Sequence, residues 1–221
     1  MNLKKMTKYL LNGLVLLGCV MIVYFLVFSS KKDSLFYAFQ MLMGILILFV
    51  PKIVGKVFKL KVPSILENMY LIFILFAVFI GTGMGFYSKV FIWDKILHFS
   101  SAMLLVALGY AIIGLLIKDK EKFSEATNPL LITLFAFFFA MTMGVVWEFY
   151  EFTFDGLLNL NMQRFAGKVG REALLDTMGD LFINTAGAIC YSLYSHYQLK
   201  TNFEYLEKIS FGKKKIKILT R

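Results

Sequence analysis

Six long apolar stretches alternate with short polar segments along the chain. They cover residues 9–28, 35–54, 65–87, 96–117, 129–152 and 176–199. Each holds about 20 residues, the length that an α-helix needs to cross the hydrocarbon core of a bilayer. The pattern predicts an all-α, polytopic integral membrane protein with six transmembrane helices. Residues 1–221 then form a single transmembrane domain, with an outer loop at 153–175 and a basic tail at 200–221.

The composition supports this prediction. Hydrophobic residues make up 59% of the chain and the mean hydropathy is +0.71, whereas a soluble domain averages about 45–50% apolar residues. The excess is expected to face lipid, which excludes an ordinary soluble domain. Cys19 and Cys190 both lie in apolar stretches, so no disulfide framework or zinc motif can be built from them.

The basic residues predict the orientation of the helices. With six crossings, the N-terminus, the loops around Lys56 and Lys120, and the tail lie on one side and carry 17 Lys and Arg, against 7 on the other side. Positively charged segments stay in the cytoplasm, so both termini are predicted to be cytoplasmic. The net charge of +10 fits a tail that contacts anionic lipid. A nucleic-acid partner is not predicted.

Acidic side chains mark the predicted outer ends of the last three helices. The fifth helix ends in "WEFYEFTFD", which places Glu148, Glu151 and Asp155 within an arc of about 60°. The fourth helix begins with Asp94 and His98, four residues apart. These groups are therefore expected on single helix faces.

The sixth helix carries Asp176, Asp180 and Asn184 at positions i, i+4 and i+8. Because neighbouring helices run in opposite directions, all three polar stripes are predicted at one depth, near the outer surface. Ionisable groups at membrane depth usually face a bundle interior or a wet cavity, so a shared pocket is expected. The alternative is a set of acids at the membrane interface, where helix N-termini favour Asp94 and Asp176.

These residue types suit a divalent metal, because helix bundles build metal sites from carboxylates and histidines at such spacings. The predicted ligands are Asp94, His98, Glu148, Glu151, Asp176 and Asp180. A bound metal would activate water at a lipid headgroup, with His98 or Glu148 as the catalytic base. The predicted substrate-binding residues are Arg164, Lys168 and Arg171, which would clamp a phosphate, and Asn184. A salt-bridged pocket for a cationic or hydroxylated headgroup, or proton-coupled transport, is the alternative.

Three segments carry a resemblance to a known family: "FYSKVFIWDKILHFSSAMLL", "GVVWEFYEFTFD" and "LLDTMGDLFINTAGA". Together they resemble the YjdF-like bacterial inner-membrane proteins, which look related to the VanZ-like group. The resemblance covers about residues 87–188 and implies a multi-pass protein of the bacterial plasma membrane. VanZ-like proteins are associated with low-level resistance to lipoglycopeptide antibiotics. This chain departs from their pattern, because Glu151 stands where that group usually has Gln and the Arg lies farther from the second Asp.

Three functions are consistent with this sequence. The first is a metal-dependent enzyme acting on an envelope lipid or its headgroup. The second is a non-enzymatic binder or transporter of a lipid-linked or polar solute. The third is a small membrane assembly protein.

Overall fold

The computed structural model describes residues 2–29, 31–117, 128–202 and 204–213. Most of them are helical. The helices are α1 (Leu3–Phe28), α2 (Lys31–Ile47), α3 (Val50–Val57), α4 (Ser64–Ile74), the π-helix π1 (Leu75–Gly83), α5 (Phe86–Lys89), α6 (Trp93–Leu116), α7 (Pro129–Leu158), α8 (Arg171–Thr201) and α9 (Glu204–Ile209). The predicted helical membrane protein is confirmed at this level.

Several helices are long and apolar enough to cross a membrane. Within the described residues they are α1, α4 with π1, α6 and α7, and a fifth span arises if the bent pair of α2 and α3 counts as one. The bend is 42°, and Pro51 lies in the first turn of α3, where its missing N–H is tolerated and its ring blocks helix continuation from α2. The predicted fifth helix is longer than expected, because α7 continues to Leu158.

Two very short strands interrupt the all-helical pattern. Leu60–Lys61 (β1) pairs antiparallel with Gly212–Lys213 (β2), so that Leu60 lies opposite Lys213 and Lys61 opposite Gly212. Part of the predicted tail is therefore ordered as α9 and β2. Other predicted basic positions lie outside the described residues: Lys118, Lys120, Lys122, Lys214, Lys215, Lys217 and Arg221.

The chain divides into two compact units. Unit 1 contains Met1–Trp93 and Lys208–Arg221, and unit 2 contains Asp94–Glu207. The core of unit 1 is formed by apolar side chains of α1, α2, α4 and π1. They are Leu11, Leu14, Met21, Phe25, Met41, Leu71, Ile74 and Phe79, together with Leu48 in the turn after α2. Burial of these side chains against one another holds the four helices together.

In unit 2, small residues allow close helix contact. Gly187 of α8 lies directly against the backbone of Phe99 in α6, in space that a Cβ atom would need. A larger residue at this position would separate the two helices.

Helix α7 begins with two features that are typical of helix N-termini. The side chain of Asn128 accepts the N–H of Leu130, and Pro129 occupies the first turn.

A set of hydroxyl groups and one imidazole pair with each other in unit 2, and we call it the hydroxyl network: Tyr110, Thr133, Ser195, His196 and Tyr205. The Tyr110 hydroxyl lies 2.7 Å from Thr133 Oγ1, which lies 3.1 Å from His196 Nδ1. Ser195 Oγ lies 3.0 Å from the Tyr205 hydroxyl. Buried polar groups are normally paired in this way, so mutual hydrogen bonding explains why these groups lie together.

Helix α8 has a polar buried face and an apolar exposed face. Its buried side chains include Asp176, Asp180, Asn184, Ser192 and Ser195. From residue 174 to residue 197, its exposed residues are Leu174, Leu175, Met178, Phe182, Ala186, Ile189, Cys190, Leu193, Tyr194 and Tyr197. This arrangement is the reverse of a water-soluble amphipathic helix. The polar buried face also lowers the average hydropathy of α8. Helix α8 is therefore not among the helices whose composition alone is apolar enough to cross a membrane.

Candidate functional site

Carboxylates from three helices of unit 2 meet at one end of the bundle. We call this set the acid cluster: Asp94 of α6, Glu148, Glu151 and Asp155 of α7, and Asp176 and Asp180 of α8. All except Asp94 are buried, and Asp180 is only 1% exposed. Burial of so many carboxylates is costly unless cations, protons or hydrogen bonds compensate.

Three side chains of this region converge as a set of ligands. One ligand atom each of Asp94, His98 and Asp180 lies within 4.8 Å of the other two. His98 Nε2 is 3.9 Å from Asp94 Oδ1 and 3.6 Å from Asp180 Oδ1. Ligand atoms bound to one divalent ion at about 2.0–2.2 Å lie about 3–4.4 Å apart. The spacing therefore suits a metal ion, and we call these residues the ligand triad.

Lys95 supplies the closest positive charge to the acid cluster. Its Nζ lies 2.9 Å from Asp176 Oδ1 and 2.7 Å from Asp180 Oδ1. It also donates to the backbone carbonyl of Asp176 at 3.2 Å. From the sequence, this lysine had been assigned no role beyond its charge. Its position one residue after Asp94, at the start of the same helix, was the available signal that it lies near the site.

The segment between α7 and α8 is attached to the acid cluster through Asp155 and Gln163. The two carboxylate oxygens of Asp155 accept the backbone N–H groups of Met162 at 2.7 Å and Gln163 at 3.0 Å. The Gln163 side chain donates to Glu148 Oε2 at 3.4 Å and to Thr177 Oγ1 at 2.9 Å. Gln163 thus links the end of α7 to the start of α8, a role that the sequence analysis missed.

Of the three predicted basic substrate-binding residues, one reaches the acid cluster. Arg164 Nη2 lies 3.7 Å from Asp94 Oδ2, and Arg164 has a positive φ of 49°, which is uncommon for a non-glycine residue. Lys168 and Arg171 are exposed. Within the part of the chain that the structure describes, neither forms an ion pair with the acids. The convergence of all three on one face is therefore not found.

Several buried polar atoms of the site have no hydrogen-bond partner among the described residues. They are Glu148 Oε1, Asp176 Oδ2, Asp180 Oδ2 and Asn184 Nδ2. Asn184 lies one helical turn beyond Asp180, and its amide occupies the space where a side chain at Gly144 would begin. Buried unpaired polar atoms are rare and costly. A bound ion or a polar ligand would satisfy these atoms.

Glu151 differs from Glu148 because it has a hydrogen bond within its own helix. Its Oε1 accepts the indole N–H of Trp147 at 2.8 Å. Trp147 stacks on Tyr150 at a centroid distance of 5.1 Å, and Tyr150 contacts Phe154 at 4.5 Å. Trp147 and Tyr150 are exposed, as expected of aromatic side chains at a membrane interface. Glu151 is therefore the member of the acid cluster that contacts this aromatic surface.

Among the described residues, several helices are long and apolar enough to cross a membrane, which places the chain in the class of membrane proteins. The chain belongs to the family described as "Predicted membrane protein (DUF2238)", which matches residues 13–201. This agrees with the resemblance to YjdF-like proteins. An uncharacterised protein of Thermotoga maritima is 28% identical over 194 residues, which cover 87% of this chain and 91% of the relative. No solved structure matches the chain.

Proposed function

We propose that the protein is a metal-dependent enzyme that hydrolyses a phosphoester in the headgroup of an envelope lipid. The observation that carries this proposal is the convergence of Asp94, His98 and Asp180 within 4.8 Å, beside a second buried carboxylate, Glu148, that has an unpaired oxygen. An aspartate–histidine–aspartate set suits zinc, manganese or iron. Glu151 and Asp176 are neighbours of the metal in this proposal, because the group of ligand atoms that converge within 4.8 Å consists of Asp94, His98 and Asp180.

A divalent ion in the ligand triad would polarise the phosphoryl group and activate water. Glu148 is the base in this proposal, since His98 is engaged as a ligand and Glu148 Oε1 is free to accept a proton. The water oxygen forms a bond to phosphorus while the ester P–O bond breaks. The leaving oxygen takes the proton that Glu148 removed, which restores the carboxylate. Arg164 contacts the nonreacting phosphate oxygens.

The site lies at membrane depth if α8 is the sixth transmembrane helix, and its reversed amphipathic pattern supports this. The apolar exposed surface between Leu174 and Tyr197 would extend over about 36 Å, enough for a hydrocarbon core of about 30 Å. With α2 and α3 as one bent span, six spans place both termini on one side. The lysine-rich segments put that side in the cytoplasm, and the acid cluster then faces outward from a bacterial plasma membrane.

Chemical labelling tests this orientation. In a variant without Cys19 and Cys190, a membrane-impermeant maleimide applied to intact cells should label Lys168→Cys and leave Lys56→Cys unlabelled. Both positions are exposed, so a difference between them reports the side of the membrane. Labelling of Lys56→Cys alone would indicate the opposite orientation in the membrane. Labelling of both variants would exclude the proposed six spans.

Hydrolysis is tested with the purified protein in mixed micelles of bacterial phospholipids and Mn²⁺ or Zn²⁺, with products identified by mass spectrometry. Glu148→Gln should retain the metal and lose at least about 100-fold in rate, the usual effect of losing a general base. Glu172→Gln, an exposed acid at the start of α8, is the matched control and should keep full activity. An unchanged rate in Glu148→Gln would remove Glu148 from the mechanism.

A second function, binding or transport of a polar or lipid-linked solute, is favoured by the polar stripe along α8. The stripe supplies hydrogen-bonding groups from Asp176 to Ser195. Gly187 and Ala188 interrupt it, and Gly187 packs on the Phe99 backbone, which favours a site open to one side over a path through the bundle. The two functions differ in turnover: a binder would be stabilised by its solute without releasing a product. From the resemblance to the VanZ-like group, we propose only that the acids belong together in one site.

A further inference from the structure

The ammonium group of Lys95 occupies a well-defined cation position. Its three acceptors are Asp180 Oδ1 at 2.7 Å, Asp176 Oδ1 at 2.9 Å and the Asp176 carbonyl oxygen at 3.2 Å. An ammonium group has three N–H donors, so none is left for a substrate. Lys95 therefore acts as a counter-charge for the two aspartates, unlike Arg164, whose contact with Asp94 is longer at 3.7 Å.

This position shares a ligand with the proposed metal site. Asp180 Oδ1 lies 2.7 Å from Lys95 Nζ and 3.6 Å from His98 Nε2 of the ligand triad. In sites with two metal ions about 3.5–4 Å apart, the ions lie close enough for a single carboxylate to contact both. Asp180 has the location of such a bridging ligand, with Lys95 on one side and the ligand triad on the other.

We infer that Lys95 fills the second cation position of a site that would otherwise hold two metal ions, and that it limits the site to one divalent ion. This inference rests on the proposed metal site and specifies its stoichiometry. Lys95 thereby sets which kind of metal centre the chain builds.

The surroundings of Lys95 would accept a divalent ion if the lysine were absent. Asp176 Oδ2 and Glu148 Oε1 are unpaired in the described structure, and both residues are at least nine-tenths buried. Among the described residues, lysine and arginine pair with three of the six carboxylates of the acid cluster: Lys95 with Asp176 and Asp180, and Arg164 with Asp94. Loss of Lys95 leaves a larger uncompensated negative charge, which favours a second divalent ion over an empty position.

The test is the binding stoichiometry of Mn²⁺ in Lys95→Met and in the unaltered protein, both purified in detergent and dialysed against Mn²⁺. Methionine keeps an unbranched side chain that is one atom shorter than that of lysine, and it removes the charge. Elemental analysis should give one Mn²⁺ per chain for the unaltered protein and two for Lys95→Met. The electron paramagnetic resonance spectrum of Lys95→Met should show two coupled Mn²⁺ ions, because a shared carboxylate keeps them close together.

Three controls isolate the charge at this position. Lys95→Arg keeps the positive charge and should bind one Mn²⁺, and so should Arg164→Gln, which removes the more distant cation. The double variant Lys95→Met with Asp176→Asn should return to one Mn²⁺, because it lacks a ligand of the second position.

The outcomes separate the two proposals. One Mn²⁺ in the unaltered protein and one in folded Lys95→Met would overturn the inference and leave the metal site intact. No Mn²⁺ in the unaltered protein would contradict the proposed metal site itself. If Lys95→Met is isolated unfolded without divalent ions, the inference predicts that Mn²⁺ restores its folding, and a failure to do so would also overturn it.

Discussion

Two regions of unit 2 use the same helices for opposite purposes. In the acid cluster, carboxylates from α6, α7 and α8 meet with few cations, and Glu148, Asp176 and Asp180 each keep an oxygen with no partner among the described residues. In the hydroxyl network, hydroxyl groups and one imidazole of α6, α7, α8 and α9 pair with one another at 2.7–3.1 Å. Ser192 Oγ, also on α8, has no partner among the described residues.

The difference in hydrogen bonding is the reason why we propose a site at the acid cluster and a structural role for the hydroxyl network. Neutral hydrogen-bonded groups stabilise a membrane bundle at little electrostatic cost. Buried carboxylates with free oxygens destabilise it and are usually retained where they bind or react with something. The Gly187–Phe99 contact lies between these two regions along α8 and holds α8 against α6.

The largest effect is expected at that contact. Gly187→Leu should lower the free energy of unfolding by about 3 kcal/mol or more, because its side chain must displace the Phe99 backbone. Gly156→Leu is the control, since a Cβ atom at Gly156 meets nothing within 4 Å. Unfolding in mixed micelles measures both. Equal stability of the two variants would mean that α8 does not pack on α6 as described.

Thr133→Val probes the hydroxyl network. Valine keeps the shape of threonine and removes the contacts with Tyr110 and His196, so the free energy of unfolding should fall by about 1–2 kcal/mol. Thr142→Val is matched to it, because Thr142 is exposed and its hydroxyl bonds only its own helix backbone. If Thr142→Val lowers the free energy of unfolding as much as Thr133→Val does, the hydroxyl network contributes no more to stability than an exposed hydroxyl group.

Glu148→Gln should have the opposite sign in metal-free protein. Removal of a buried charge with an unpaired oxygen should raise the free energy of unfolding by about 1 kcal/mol. The measurement is unfolding in the presence of a chelator, with Glu172→Gln as the exposed control. A destabilised Glu148→Gln would indicate that Glu148 is structural, and the contrast between the two regions would then fail.

The smallest effect is expected for Gln163→Ala. The substitution removes the link from the segment after α7 to Glu148 and Thr177, whereas the bonds from Asp155 to the backbone remain. Amide hydrogen exchange of residues 159–166 should become about 5-fold faster, as expected for the loss of about 1 kcal/mol. Lys168→Ala, in the same segment, should leave the exchange unchanged. No change in Gln163→Ala would show that Asp155 alone holds the segment.

The sequence predicted the helices well because apolar periodicity determines where helices form. It also grouped Asp94, His98 and Asp180, since three stripes at matched helix ends must meet in a bundle. Average hydropathy gives less support to the predicted number of six membrane spans. Helix α8 faces its polar side inward, so its average composition hides the apolar exposed surface that carries Phe182, Leu193 and Tyr197.

The details of the site could not be predicted, because they depend on side-chain reach across helices. The ammonium of Lys95 crosses from α6 to Asp176 and Asp180 on α8, a contact that no spacing along one helix reveals. Gln163 and Arg164 reach the acids through an irregular segment with a positive φ at Arg164. The predicted shared face with Lys168 and Arg171 assumed a helix there, and the structure has none between Leu158 and Arg171.

The central claim is that the acid cluster, and not the hydroxyl network, binds a divalent ion. The most direct measurement is elemental analysis of the detergent-purified protein after equilibration with Mn²⁺ or Zn²⁺, with Asp94→Asn, Asp180→Asn and Ser195→Ala analysed alongside. We expect about one metal ion per chain in the unaltered protein and in Ser195→Ala, and a loss of at least about 10-fold in affinity in both aspartate variants. Folded, unaltered protein that binds no metal, or aspartate variants that bind it as tightly, would contradict the claim.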